Sequence, residues 1–167
     1  FGSMDTELNS VSITPDNMKL NLKKYLESFR LINDSYVLLD AAVHNFGVDV
    51  SVISVPGIQK SDVATSIITN LKKILDIRLF QINQPLSIGD MYHAVINSQG
   101  VSSIHDSMNK KGIEIRSLTG QSSDGTNKFS YSSNDFSTIP KRGFIFPRKN
   151  GIFELKYPEF DIRVTVM

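Results

Sequence analysis

The chain has 167 residues, 40% hydrophobic and 21% charged, and its 18 Lys and Arg against 17 Asp and Glu leave a net charge of +1. That composition excludes a mostly disordered chain, and so even a balance offers no field of one sign to draw in nucleic acid or an anionic membrane. Cysteine is absent, so disulfides, thiolate metal sites and cysteine nucleophiles drop out together, and no apolar run reaches the roughly 18 residues of a membrane span.

Phe1-Gly2-Ser3-Met4 reads as a cloning scar ahead of an excised fragment and is set aside. Thr14-Pro15-Asp16 carries a helix start: a hydroxyl cap, a proline suited to the first helical position, and a carboxylate facing the dipole. Met18, Leu22, Leu26 and Phe29 then fall on one face, read as a core stripe, in a helix expected to end near Asn33-Asp34. Phe46, Val48, Val50 and Val52 alternate with Asn45, Gly47, Asp49 and Ser51, the pattern of a strand with one buried and one solvated face, stopped by Pro56-Gly57. Ser61-Asp62 opens a second helix with a stripe of Val63, Ile67, Leu71, Ile74 and Leu75, suited to lying on a sheet. After a connector from Arg78 to Leu86, Ser87 with Asp90 three residues on starts a short helix, and Gly100 fits just past its end. Val101 to Asp106 and Gly112 to Leu118, joined by Asn109-Lys110-Lys111, read as a hairpin.

From Thr119 to Lys141 Ser, Gly, Asp and Asn dominate and no apolar period survives, although Phe129, Tyr131 and Phe136 suit a segment that docks on something. Phe144-Ile145-Phe146, Ile152 to Leu155 and Ile162 to Val166 are short strand candidates broken by Pro147, Gly151 and Pro158. The expected fold is α+β: helices packed on one face of a small mixed or antiparallel sheet, with a long irregular loop and a C-terminal β arm. The sandwich takes residues 5–118, the loop 119–141 and the arm 142–167.

Few residues promise chemistry. His44, His93 and His105 lie on three different elements, with no second histidine at helical metal-site spacing. Asp40 and Asp49 flank the first strand, but an aspartate on a polar strand face is usually solvated, so the carboxylate pair of a glycosidase is not indicated. No phosphate-binding glycine loop is present, and the four dibasic pairs are interspersed with acids and lack a stacking platform for nucleic acid. No catalytic residue, cofactor or metal site is assigned.

An ordered set of motifs nevertheless resembles one family. Val48-Asp49-Val50, a helix, Gln81-Ile82-Asn83-Gln84-Pro85-Leu86-Ser87 entering a short helix with Asp90-Met91-Tyr92, and then Gly100-Val101 are similar to the module of the baseplate J-like family of contractile phage tails. Leu22 to Leu26, Arg30 to Asp34, Leu39-Asp40-Ala41 and the tail Ile152 to Pro158 with Asp161-Ile162 resemble the C-terminal part of the T4-like baseplate wedge subunit. Ile82-Asn83 departs from the glycine many members carry there. The resemblance implies a non-enzymatic virion part, assembled in the host cytoplasm and dimerising within a wedge. Its partners would be copies of itself and other wedge proteins, with no nucleic acid, membrane or small-molecule substrate. The contact residues expected between Thr119 and Met167, on the loop and the arm, are Phe129, Tyr131, Phe144, Phe146, Phe153 and Tyr157; for Phe144, Phe146 and Phe153, filling the chain's own core is the competing reading.

Overall fold

The computed structural model describes residues 14–29, 35–106, 111–123 and 128–167. Helix α1 spans Asp16–Glu27, with Pro15 at the cap position; the helix end expected near Asn33-Asp34 lies outside the described residues. The expected core stripe of α1 is overturned. The helix buries no residue, and Met18, Leu22 and Phe29 stand 47% to 65% exposed. Helical spacing fixes which side chains share a face; it does not supply a surface beneath them.

Strand β1, Ala42–Ser54, is the axis of the molecule. Its even-numbered side chains Phe46, Val48, Val50 and Val52 are at most 1% exposed and face helices α2, Lys60–Ile74, and α3, Ile88–Ile96. The α2 stripe Val63, Ile67 and Leu71 and the α3 residues Met91 and Val95 complete this core. Ser87 caps α3 as expected, its hydroxyl accepting from the Asp90 N–H at 3.2 Å. Strand β2, Leu86–Ser87, precedes α3, and strands β3, Val101–Ile104, and β4, Ile113–Leu118, follow it.

β3 and β4 form no hairpin with each other; both pair antiparallel with β1. Ser51 donates to the Gly112 carbonyl and accepts from the His105 N–H, and because both groups of one strand residue point to the same edge, β3 and β4 lie end to end along that edge. A period of two identifies strands and leaves their partners open, which is why the sequence suggested a hairpin.

The opposite edge repeats the device in parallel sense. After β5, Gln121–Ser123, β6, Lys128–Ser130, and β7, Phe144–Ile145, come β8, Gly151–Glu154, the one-turn helix α4, Pro158–Asp161, and β9, Ile162–Val166. β8 pairs with Ala42 to Asn45 and β9 with Val48 to Val52, so this edge too is one broken strand. The fold is α+β, with a mixed five-stranded sheet that is three ribbons wide. Two pairs stand apart from that sheet: β2 with β7, and β5 with β6, the latter inside the stretch expected to carry no regular structure. No helix among the described residues is long and apolar enough to cross a membrane.

Candidate functional site

The odd-numbered face of β1, expected to meet solvent, is covered. Asn45 and Ser51 are 1% and 3% exposed, and a polar network spreads from Asn45. The Asn45 amide donates to Glu154 Oε2 at 2.5 Å, while its oxygen accepts the Ser132 N–H at 2.5 Å, fastening the 128–136 segment onto the sheet. Beside it, Arg116 of β4 stands opposite Gly47, whose missing side chain leaves room for the guanidinium. A Cβ at Gly47 would lie 2.8 Å from Arg116 Nη2 and 2.8 Å from the Asp161 carbonyl. Arg116 Nη2 donates to that carbonyl at 3.1 Å. Its Nε makes an ion-pair contact of 2.7 Å with Asp49 Oδ2, without the alignment of a hydrogen bond.

Asp161 ends the network. Tyr131 donates its hydroxyl to Asp161 Oδ1 at 2.7 Å, and the Tyr157 N–H donates to Oδ2 at 2.9 Å. Burial pushes the Asp161 carboxyl above the usual aspartate range, and burial with the Asp161 hydrogen bond pushes the Tyr131 phenol up as well. With the residue 2% exposed and each carboxylate oxygen engaged by a donor of its own chain, the group is arranged to hold the 128–136 segment down; its reach toward a substrate is closed off.

Aromatic rings roof this network. Phe129 lies 4.9 Å from Tyr157 and 4.7 Å from Phe160, and Tyr131 meets Tyr157 edge-on at 5.7 Å. Three of the six expected contact residues, Phe129, Tyr131 and Tyr157, are therefore gathered into one cluster within the chain. Phe153 is 1% exposed and packs edge-on against Phe46 and Phe136, so it fills the chain's own core and presents nothing to a neighbour. The segment's other ring, Phe136, is 4% exposed and also sits against His44.

Phe144 and Phe146 behave differently. They are 42% and 52% exposed with ring centroids 6.5 Å apart, while Ile145 between them is 1% exposed and pairs with Leu86. The tip that carries them is tightly built. Lys141 and Phe144 exchange backbone hydrogen bonds around Arg142 and Gly143, both at positive φ, the geometry of a two-residue hairpin turn of the primed type.

A shallow open cleft of about 530 Å³ runs between β4 and the 135–138 segment, lined by residues that include Ile115, Ser117, Asp135 and Phe136. The Ser117 hydroxyl and the Phe136 N–H donate to Asp135 and hold its carboxyl below the usual range. Among the described residues no three His, Asp or Glu side chains are placed to hold a metal ion.

The sequence reading passed over Arg116 and Phe160. Arg116 had a legible signal: a lone arginine in an alternating apolar strand, with a glycine inside the neighbouring strand marking a close approach. Phe160 had none, because its role depends on where α4 places it. No family model matches the chain, and no curated protein matches it.

Proposed function

We propose that the chain is a non-enzymatic structural module of a contractile phage tail baseplate wedge, working through protein-protein contacts in ring assembly. The resemblance to the baseplate J-like family brings the reading to mind, and one observation carries it: two phenylalanines held side by side on the outside of a rigid turn. Exposed aromatic pairs of this kind suit the centre of an interface, because ordering them costs little further entropy when the backbone is already fixed. Ile139, 74% exposed and close by in sequence, extends the apolar character.

Co-expression with the other wedge proteins of a T4-like baseplate tests this reading. The expected result is a stable complex that Phe144→Ser with Phe146→Ser abolishes, while the melting temperature of the isolated chain stays put, as substitutions at exposed positions change stability by only about 0.5 kcal/mol. Recovery of the chain alone at every concentration contradicts the reading. A small molecule that co-purifies would favour the competing one, a ligand-binding regulatory α+β module.

A further inference from the structure

The turn that presents Phe144 and Phe146 lies in the longest acid-free stretch of the chain. Between Asp135 and Glu154 the sequence holds four basic residues, Lys141, Arg142, Arg148 and Lys149, although the whole chain nets only +1. All four are exposed, and none stands in an ion pair among the described residues. The two bounding acids are engaged elsewhere: Asp135 accepts from the Ser117 hydroxyl and the Phe136 N–H, and Glu154 from the Asn45 amide. Arg148 acts on Asp135 only from outside ion-pair contact.

The cations are fixed in two places. Lys141 and Arg142 belong to the primed turn, with Arg142 itself at φ 53°. Arg148 and Lys149 belong to a second turn, closed by the Gly151 N–H on the Arg148 carbonyl at 2.8 Å, with Asn150 at φ 59°. That second turn is pinned to the body of the chain. The Arg148 N–H donates to His44 Nε2, the Asn150 N–H donates to Asn83 Oδ1 at 2.7 Å, and the Gly151 carbonyl accepts the Asn83 N–H at 2.7 Å. The two rings therefore stand between two pairs of free charges on fixed backbone, and a partner need not order the main chain to meet them.

The charge calls for an anionic partner, and the geometry narrows it to a protein. The hairpin leads with Arg142 and Gly143 while the rings stand behind, so a bilayer would meet a charge before any apolar surface. The rings are tilted 50° to each other with centroids 6.5 Å apart, so bases stacked on one another cannot lie flat on both. A second copy matches the tip poorly, because its cleft beside β4 brings one carboxylate, Asp135, together with the cation of Arg116. Carboxylate side chains around an apolar slot suit the rings and the charges at once.

We infer that the tip docks into a slot of a different, acidic polypeptide, which takes the Phe144 and Phe146 rings at its centre and sets carboxylates against the cations of both turns. The inference deepens the assembly reading at the same site and rests on it for the two rings being a contact.

The test uses the full chain and defined probes: a glutamate-rich peptide interrupted by leucines, its glutamine-for-glutamate twin, an oligothymidylate, and vesicles of phosphatidylcholine with phosphatidylglycerol. Fluorescence anisotropy is expected to show the glutamate peptide binding about tenfold tighter than its twin, a preference that weakens with salt. Arg142→Asn with Lys149→Gln removes one charge from each turn, and asparagine accepts the positive φ at 142. This pair should bring the two affinities within about threefold of each other, and Phe144→Ser with Phe146→Ser should weaken both, with the melting midpoint unmoved. Equal affinity for the two peptides, no binding to either, or tighter binding to the oligothymidylate or the vesicles overturns the inference. So does a concentration-dependent doubling of mass that Arg142→Asn with Lys149→Gln removes, because the occupant is then a second copy. A wedge complex lost with the Phe144 and Phe146 changes but indifferent to salt and to the charge variants would sink this inference alone; failure of every wedge complex while the glutamate peptide keeps its preference would sink the baseplate reading alone.

Discussion

His44 shows how one side chain records its surroundings. It is fully buried, packs against Phe136 at 5.7 Å and Phe153 at 6.0 Å, and accepts the Arg148 N–H at Nε2 at 3.3 Å. Burial holds its pKa below the ordinary 6.5, with Arg148 pushing the same way and the neighbouring Asn134 backbone and Asp135 opposing. The folded state then binds fewer protons than the unfolded chain below 6.5, so the stability that neutral His44 supports is present above that value and lost as pH falls through it. Asp161 has the opposite sign: its raised pKa makes folding easier to sustain on the acid side, in a window that starts at the ordinary aspartate value. In thermal melts between about pH 8 and pH 5, the wild-type midpoint should fall on acidification, and His44→Gln should flatten that slope. An unchanged slope in the variant would place the titrating group elsewhere.

At the scale of elements, β1 is held from both sides by strands that are each interrupted once, and one side chain bridges the two edges. Arg116 leaves β4, crosses Gly47 of β1 and reaches the Asp161 carbonyl, where α4 gives way to β9. The crossing fails if position 47 carries a methyl group. Arg116 Nη2 is the end of a flexible side chain and can move, but the Asp161 carbonyl at 2.8 Å is backbone and cannot yield without shifting α4. Gly47→Ala is therefore expected to destabilise the chain by about 1–3 kcal/mol in urea unfolding. Adding Arg116→Ala should recover only part of that loss, and full recovery would show that the backbone contact does not matter.

The elements themselves were legible because each obeys a local rule: the alternation of β1, the stripe of α2 and the Ser87 cap of α3 all appear where the pattern places them. Three things were not legible. The partners of β3, β4, β8 and β9 are set by closure along β1, which no local period encodes. The polar face of β1 looked solvated because the segment that covers it lies more than eighty residues away in sequence, as in the contact between Asn45 and Ser132. The α1 stripe looked like core because helical spacing fixes which side chains share a face and does not encode whether a surface of the same chain lies beneath them.

For the whole molecule, the account divides the aromatic residues into those the fold consumes and those it leaves outside. Phe46, Phe136 and Phe153 fill the core; Phe129 and Tyr131 pack on Tyr157 and fasten the 128–136 segment; Phe144 and Phe146 are left presented on a fixed turn. Amide hydrogen exchange on the chain, free and within a wedge complex, tests that division most directly. The account predicts that the complex slows exchange around 139–146, with β1 protected equally in both states. Exchange at 139–146 that is unchanged in the complex, with new protection only along the cleft beside β4, would contradict it.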